Sequence, residues 1–297
     1  MGTRAKSKRR RRRHLVFAAI MKGIDGGTCK VSDNGCDRNC AGCSDRGNCG
    51  ISKDSLNGFS KISKVIGIVS GKGGVGKSTV TSIVARQLTN AGYRVGILDA
   101  DLTGPSIPRM FGVSGKVSGS EMGMEPAVSE EGIRIMSMNL LLDSEEDAVI
   151  LRGPVLSGVI KQFWTDVHWG ELDYLLIDMP PGTGDIPLTV YQSIPIDGIV
   201  IVTSPQELVR MIVMKAFDMA AKMGIKVLGI IENYSYYVCE HCGEKLKIFG
   251  ESGVDELAAE LMVPVIAKIP VLPQISEAAD SGKASDVSIG LDYFVNF

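Results

Sequence analysis

Residues 65–80 read VIGIVSGKGGVGKSTV, and this stretch decides the fold of the chain. It begins with a short apolar run typical of a β-strand, continues through a glycine-rich turn and ends in a helical segment. Gly71, Gly76, Lys77 and Ser78 fit the pattern G-x-x-x-x-G-K-[ST] of a phosphate-binding loop. Glycines let the backbone turn its N–H groups toward phosphate oxygens, and the following helix directs its positive end at the same anion. The stretch therefore predicts a nucleotide site, the alternative being a strand-to-helix turn without a ligand.

The side chains of this loop predict how ATP and Mg²⁺ are held. The ammonium group of Lys77 can reach the β- and γ-phosphates, and the hydroxyl of Ser78 is placed to bind Mg²⁺. The residues expected to bind the nucleotide are Gly71, Lys72, Gly73, Gly74, Val75, Gly76, Lys77, Ser78 and Thr79.

Strand-like and helix-like segments alternate along the rest of the chain. Apolar runs predict strands at 65–69, 94–99, 133–138, 173–178, 198–203, 226–231 and 264–269. Helical patterns lie between them at 77–91, 153–167, 205–223 and 254–262. This alternation predicts an α/β fold, a mainly parallel sheet covered by helices on both faces, as in a P-loop NTPase, with its ligand at the carboxyl ends of the strands.

Acidic residues follow two of the predicted strands at that edge. Asp178 ends one strand and is the expected partner of Mg²⁺, directly or through water. Another strand ends at Asp99, and Asp101 in the following loop is placed to position the attacking water. An aspartate at a strand end can also be a simple helix cap, but the convergence of these residues with the loop favours catalysis by Lys77, Asp101 and Asp178.

The charge of the chain is divided unevenly. The net charge is −2, from 32 basic and 34 acidic residues, yet residues 1–13 contain eight basic residues and no acidic one. The remainder is therefore acidic, and we do not expect nucleic acid or a membrane as a partner. No apolar run approaches the ~20 residues of a membrane span, and residues 15–21 do not resemble a secretory signal. We expect a cytoplasmic protein with a basic, disordered tail at 1–20, which is either native or a non-native start before Met21. The alternative for its basic run at 8–13 is an arm that binds nucleic acid or an anionic membrane.

Five of the seven cysteines lie between residues 29 and 49. Residues 21–60 have no hydrophobic periodicity, so we expect a cysteine-rich, metal-binding extension before an ATPase domain at 61–297. Its segment CDRNCAGCSDRGNC offers four closely spaced thiols for zinc or an iron–sulfur cluster, with Cys29 as a spare ligand and unliganded thiols as the alternative. The four thiols are those of Cys36, Cys40, Cys43 and Cys49.

The remaining cysteines, Cys239 and Cys242, form a C-x2-C pair. Such a pair alone fits zinc, a redox couple or half of a shared site. Two thiolates cannot complete a tetrahedral site, so a symmetric second subunit could supply the other two, whereas the alternative is a zinc knuckle completed by His241 or by remote ligands.

The second lysine of the loop, Lys72 in GKGGVGKST, resembles the deviant loop of the SIMIBI ATPases, the class that includes MinD, ParA and the nitrogenase iron protein. The resemblance implies a homodimer that encloses the nucleotides, in which Lys72 reaches the nucleotide of the partner subunit and acts in catalysis, much as an arginine finger does.

Three further blocks are similar to the Mrp/ApbC family of iron–sulfur cluster carriers, a resemblance that extends over about residues 62–285. They are DADLTGPSIPRMFGV, LLIDMPPGTGD and IENYSYYVCEHCGEKLKIFG. The resemblance implies that Cys239 and Cys242 of two subunits bridge a [4Fe–4S] cluster, that Asn233 contacts the adenine, and that apo iron–sulfur proteins receive the cluster.

The extension resembles that of the eukaryotic cytosolic scaffold branch of the same family, which ends in C-x2-C-x5-C. Cys40, Cys43 and Cys49 match that ending, but the first cysteine of the branch is replaced by Gly26 here, so Cys36 or Cys29 must substitute in a four-thiolate cluster.

We therefore expect an ATP-hydrolysing carrier that assembles a [4Fe–4S] cluster and transfers it to apoproteins. The alternatives are a nucleotide-switched iron–sulfur reductase and a positioning ATPase like MinD or ParA. A MinD-like protein is expected to end in a basic amphipathic helix, whereas residues 285–297 contain neither Lys nor Arg.

Overall fold

A computed structural model of the chain describes residues 53–102, 104, 106–142, 153–205, 209–271 and 291–296. All of them belong to one compact unit, Lys53–Phe297. The predictions for the basic tail and for Cys36, Cys40, Cys43 and Cys49 lie outside the described residues.

The centre of this unit is an eight-stranded sheet, in which apolar residues fill the inner strands on both faces. Its strands are β1 (Lys61–Ser70), β2 (Val95–Asp99), β5 (Ala127–Val128), β6 (Arg134–Met136), β7 (Glu171–Asp178), β8 (Gly198–Thr203), β9 (Val227–Glu232) and β12 (Val265–Lys268). Their spatial order is β12-β9-β8-β1-β7-β2-β6-β5. Neighbours run parallel except for β5, which pairs antiparallel with β6 at one edge. The mainly parallel sheet is confirmed.

Seven α-helices accompany the sheet in the described part of the chain. They are α1 (Lys77–Asn90), α2 (Ile107–Met110), α3 (Gly153–Thr165), α4 (Asp185–Ser193), α5 (Val209–Lys222), α6 (Val254–Leu261) and α7 (Asp292–Val295). Two short hairpins complete the structure: β3 (Gly119–Ser120) with β4 (Gly123–Met124), and β10 (Tyr237–Val238) with β11 (Lys245–Leu246).

The helices cover the two faces of the sheet and enclose two apolar cores. Residues of α3, α4, α5 and α6 pack with one face, and residues of α1, α2 and α7 pack with the other. Within β1, Val65 and Val69 join the first core, whereas Ile66 and Ile68 join the second, because side chains alternate between the faces of a strand. None of the described helices is long and apolar enough to cross a membrane.

Residues just before β1 pack on the helical layer. The Asp54 N–H donates to the Ser193 carbonyl over 2.8 Å, and the Trp164 indole donates to the Asp54 carbonyl over 2.9 Å. The ammonium of Lys53 donates to the Tyr191 carbonyl. The compact unit thus begins at Lys53, eight residues ahead of β1.

The topology brings several polar side chains to one edge of the sheet. β1 lies between β7 and β8, and β7 also pairs with β2, so that Asp99 stands opposite Asp178. Because parallel strands end at the same edge, the loop after β1 meets both aspartates there, as well as the end of β9 at Glu232.

Candidate functional site

The phosphate loop spans the turn from β1 to α1, and close packing explains two of its glycines. A Cβ on Gly71 would lie 1.9 Å from Ile212 Cγ2 in α5. A Cβ on Gly76 would lie 2.2 Å from Asn233 Nδ2, and Gly76 also has a φ of 75°, in the left-handed region. Only glycine fits both positions without displacing its neighbours.

The loop borders a cavity of about 270 Å³. The residues around this cavity are Ser70, Lys72, Gly73, Gly74, Val75, Gly76, Lys77, Ser78, Thr79, Asp101, Ser106, Met110, Pro181 and Tyr234. The structure therefore brings the predicted loop residues and Asp101 around one space, with Gly71 packed behind it. Backbone N–H groups, a helix N-terminus and lysines around such a cavity suit a polyphosphate.

Asp178 is the centre of a buried polar network beneath this cavity. The Lys77 ammonium lies 2.8 Å from Asp178 Oδ1, and the side chains are 6% and 0% exposed. The Ser78 hydroxyl donates to Asp178 Oδ2 over 2.5 Å, and the Thr81 hydroxyl donates to Oδ1 over 2.8 Å. Ser78 and Asp178 thus place two hard oxygen donors side by side, which fits Mg²⁺, a cation that keeps waters and phosphates as its other ligands.

Thr81 was not predicted from the sequence. It lies one helical turn after Lys77, and this i, i+4 spacing on α1 places both side chains on the same side of the helix. That spacing is a signal that the sequence already contains, but its meaning depends on Asp178 being opposite.

Asp99 is a second buried carboxylate at the site; its position at this edge was predicted from the sequence, but no individual role was. It is fully buried, accepts a hydrogen bond from the Ser137 hydroxyl over 3.1 Å, and accepts another from the Asp101 N–H over 3.2 Å. Burial, and then the charge of Asp178, raises the pKa of Asp99 well above its ordinary value, whereas Lys77 opposes this shift. Asp99 therefore holds the backbone of Asp101 in place from inside the sheet.

The loop that carries Asp101 is connected to α1 through Arg86. Asp101 is partly exposed and borders the cavity, as do Ser106, which precedes α2, and Met110 at the end of α2. Arg86 is 6% exposed, and its guanidinium donates to the Met110 carbonyl over 2.7 Å. It also contacts Glu131 at 2.9 Å and lies 4.4 Å from the ring centroid of Phe111. Arg86 is another residue that the sequence analysis missed.

Lys72 borders the same cavity and is partly exposed. The Ser70 hydroxyl donates to its carbonyl over 3.0 Å, which anchors the backbone at the start of the loop. Its action on a partner subunit stays a prediction.

Asn233 lies behind the phosphate loop. It is 2% exposed, and its side-chain amide donates to the Val75 carbonyl over 2.9 Å. The next residue, Tyr234, borders the cavity and takes a φ of 59°, an unusual backbone conformation for a tyrosine. The adenine contact of Asn233 stays a prediction, while Tyr234 is a cavity residue that sequence reasoning missed.

Residues 236–251, named here the cysteine hairpin, leave the sheet after β9. The Cys239 N–H donates to the Glu244 carbonyl over 2.9 Å, and the Gly243 N–H donates to the Cys239 carbonyl over 2.8 Å. Cys239 is partly exposed and Cys242 is exposed, and both are free thiols. The structure therefore presents the two thiols on a tight turn at the surface.

The turn also favours the thiolate form of Cys239. Hydrogen bonds from the backbone N–H groups of Cys242 and His241, and then from the Cys242 side chain, lower the pKa of Cys239. A thiolate is the form that binds a metal or a cluster. Among the described residues, no group of three or more His, Cys, Asp or Glu side chains is placed to hold a metal ion.

The family described as NUBPL iron-transfer P-loop NTPase, of the ParA group, matches residues 61–290. A protein of Clostridium perfringens named iron-sulfur cluster carrier protein is 48% identical over 257 residues, covering 83% of this chain and 90% of that protein. One of the same name from Methanocaldococcus jannaschii is 46% identical, covering 83% and 89%. A Culex quinquefasciatus protein named cytosolic Fe-S cluster assembly factor NUBP2 homolog is 44% identical, covering 75% and 90%.

Two solved structures share the fold of this chain. A nucleotide-binding protein from Archaeoglobus fulgidus in complex with ADP has a TM-score of 0.70 and 44% identity, covering 80% of this chain and 92% of that one. The septum site-determining protein MinD from Pyrococcus horikoshii, solved with Mg-ADP, has a TM-score of 0.52 and 24% identity, covering 80% and 90%, and shares the fold. The predicted fold and family resemblance are confirmed: the chain belongs to the NUBPL iron-transfer P-loop NTPases of the ParA group.

Proposed function

We propose that this chain is an ATP-hydrolysing iron–sulfur cluster carrier that assembles a [4Fe–4S] cluster and passes it to apo iron–sulfur proteins. The observation that carries the proposal is that one domain combines a phosphate-loop cavity with a surface pair of thiols that no third metal-binding side chain joins among the described residues. The relatives named as iron–sulfur cluster carriers support it.

The nucleotide half of the function follows from the charges around the cavity. Lys77 neutralises the β- and γ-phosphates, and Ser78 with Asp178 would hold Mg²⁺, which supplies charge neutralisation of the same phosphates when it is bound. Asp101 borders the cavity from a loop whose backbone Asp99 holds, followed by a helix that Arg86 contacts, and its carboxylate can orient the attacking water. Lys72 would act on the nucleotide of a second subunit.

The cluster half of the function requires a homodimer. Two thiols on one hairpin supply half of the four sulfurs that a [4Fe–4S] cluster takes from protein. A two-fold axis that brings the hairpins of two subunits together would complete the set with the same two residues, Cys239 and Cys242. Their exposure on a turn leaves the sulfurs accessible both to a second copy and to an apoprotein.

The extension would hold a second metal centre. Cys36, Cys40, Cys43 and Cys49 remain the proposed ligands, with Cys29 in reserve. We place the protein in the cytosol, in agreement with relatives in Schizosaccharomyces pombe and Culex quinquefasciatus whose names call them cytosolic.

Anaerobic reconstitution of the full chain with iron and sulfide tests the proposal. We expect a [4Fe–4S] Mössbauer signal, and we expect C239A/C242A to lose the iron of one cluster per dimer while it keeps ATP binding. The comparison is repeated in a C36A/C40A/C43A/C49A background, where the bridging cluster is then the sole one.

The matched control is H241A, because His241 lies between the two cysteines on the same exposed turn. It should retain the full cluster content. Undiminished iron in C239A/C242A, or zinc in place of iron in the intact protein, would overturn the assignment of the hairpin as the carrier site.

A further inference from the structure

Glu232 is a buried carboxylate that neither nucleotide binding nor cluster binding accounts for. It is the last residue of β9 and has no exposed surface. The Ser235 hydroxyl donates to Glu232 Oε2 over 2.5 Å, and the Ser252 hydroxyl donates to Oε1. Burying a carboxylate costs free energy unless its oxygens accept hydrogen bonds. The two serine hydroxyls supply one such bond to each oxygen of Glu232.

The two serines stand at the two ends of the cysteine hairpin. Ser235 directly precedes it and Ser252 directly follows it, so that one carboxylate holds both ends together. Further hydrogen bonds fix these ends: the Ser235 N–H donates to the Ile269 carbonyl over 2.8 Å, and the Val254 N–H donates to the Ser252 hydroxyl over 3.1 Å. Between the serines, residues 236–239 are partly exposed and residues 240–251 are exposed, so these two ends, the base of the hairpin, attach it to the domain.

The residues that follow Glu232 contact the phosphate loop. Asn233 binds the carbonyl of Val75, and a Cβ on Gly76 would lie 2.9 Å from the Tyr234 hydroxyl. The carboxylate that holds the ends of the hairpin and the two residues that contact the phosphate loop are therefore three consecutive residues, 232–234. They include no glycine that could absorb a movement, and Tyr234 already takes a constrained backbone conformation.

We propose that Glu232 is a positioning residue that connects the nucleotide site to the cysteines. A shift of the phosphate loop when nucleotide binds would move Asn233 and Tyr234, and Glu232 would pass the shift to both ends of the hairpin at once. The inference rests on the proposed function for its purpose, because a carrier must change its hold on a cluster with its nucleotide state. The connection itself needs no cluster and can be tested without one.

The test measures how fast iodoacetamide alkylates Cys239 and Cys242 in the metal-free, reduced full-length chain, with and without MgATP. Both cysteines lie in one tryptic peptide, residues 227–245, which mass spectrometry quantifies. In the wild type we expect MgATP to change the alkylation rate by about fivefold or more, the size of a typical coupling between two sites. In E232A the alkylation rates with and without MgATP should become nearly equal. Nucleotide affinity and dimerisation, measured on the same variant, should be retained.

The matched control is E251Q, which removes the exposed ion pair of Glu251 with Lys247 on the same hairpin. It should keep the wild-type response, because that pair does not touch the base of the hairpin. If E232A does not fold, S252A takes its place, since it removes one of the two hydrogen bonds to Glu232 and should reduce the response.

Three results would overturn the proposal: an unchanged response in E232A or its substitute, no response in the wild type, or a response lost together with dimerisation or nucleotide binding. Failure of the proposed function is a separate result. A wild type that responds to MgATP but takes up no iron would retain the connection through Glu232 while removing the carrier function.

Discussion

The phosphate loop rests on a largely buried network of hydrogen-bonded side chains, whereas residues 240–251 of the cysteine hairpin are all exposed to solvent. At the loop, Lys77, Ser78 and Thr81 converge on the buried carboxylate of Asp178. At the hairpin, the two thiols lie on a tight turn that backbone hydrogen bonds close. Buried, bonded groups keep a fixed geometry for a phosphate, while an exposed pair leaves its sulfurs open to a second subunit.

The two regions also shift the pKa values of their acidic groups in opposite directions. Burial and a neighbouring carboxylate raise the pKa of Asp99 at the loop, whereas N–H groups lower the pKa of Cys239 at the hairpin. The loop region thus disfavours an additional negative charge and the hairpin favours one. The environment of the loop therefore suits a site that cations complete, and the environment of the hairpin suits a site that binds iron through thiolates.

The largest effect is expected for K77A. Removing the ammonium leaves the buried carboxylate of Asp178 without its positive partner, which costs about 3 kcal/mol of unfolding free energy. Urea denaturation without nucleotide measures it. The control is K72A, a partly exposed lysine of the same loop, for which we expect about 0.5 kcal/mol or less. Equal losses in the two variants would contradict the idea of a loop held from below.

The next effect concerns the pH dependence of stability through Asp99. Its pKa is raised in the folded state, so the folded chain binds the proton more tightly, and this contribution to stability is lost as the pH rises from the unfolded pKa through the folded one. D99N should remove that loss, so its stability relative to the wild type should grow with pH in this window by at most about 1.4 kcal/mol per pH unit. Urea denaturation across a pH series measures it.

The control for this pH series is D173N. Arg94 holds the pKa of Asp173 below its ordinary value, so that contribution is present at neutral pH and is lost as the pH falls through the folded pKa. The two variants should therefore deviate from the wild type with opposite slopes, D99N above the ordinary aspartate pKa and D173N below it. Parallel slopes would contradict the opposite environments of the two carboxylates.

A smaller effect is expected for T81V. Valine keeps the shape of threonine but removes the buried hydrogen bond to Asp178, at a cost of about 1 kcal/mol in unfolding free energy. The matched control is T79V two residues earlier, whose side chain makes no hydrogen bond to Asp178 and should cost less. A greater loss in T79V than in T81V would remove Thr81 from the network.

The smallest effect is expected for C239A/C242A. Because the thiols are exposed or partly exposed and the turn is held by backbone groups, the metal-free variant should unfold within about 0.5 kcal/mol of the wild type. Thermal and urea denaturation in the presence of a chelator measure it. A loss greater than about 1 kcal/mol would mean that the cysteines support the domain itself, as in a structural zinc site.

Local patterns were sufficient for much of this domain. The alternation of apolar strands and helical segments predicted the parallel sheet, and the strands at 198–203 and 265–268 were found close to their expected bounds. The strand expected at 133–138 is only Arg134–Met136, because it lies near the sheet edge and pairs there with the very short β5. Hydrophobic patterns cannot report how many neighbours a strand has.

Side chains distant in sequence were harder to predict. Thr81 and Asp178 are 97 residues apart, and Arg86 and Glu131 are 45 apart. Glu232 and Ser252 are 20 apart, on either side of the cysteine hairpin. No motif links these pairs, since each depends on which strand lies beside which and in what register.

By itself, the sequence determined the phosphate loop, the C-x2-C turn and the parallel α/β architecture. Each depends on local chemistry: glycines that permit a left-handed backbone, a lysine and a serine at fixed spacing, and apolar runs long enough for buried strands. Only the tertiary structure decided that Asp99 is buried against Asp178, that Asn233 contacts the loop, and that Glu232 holds both ends of the hairpin. Those contacts form when the strands pair in the correct register and water leaves the carboxylates. Neither event is local to any stretch of the chain.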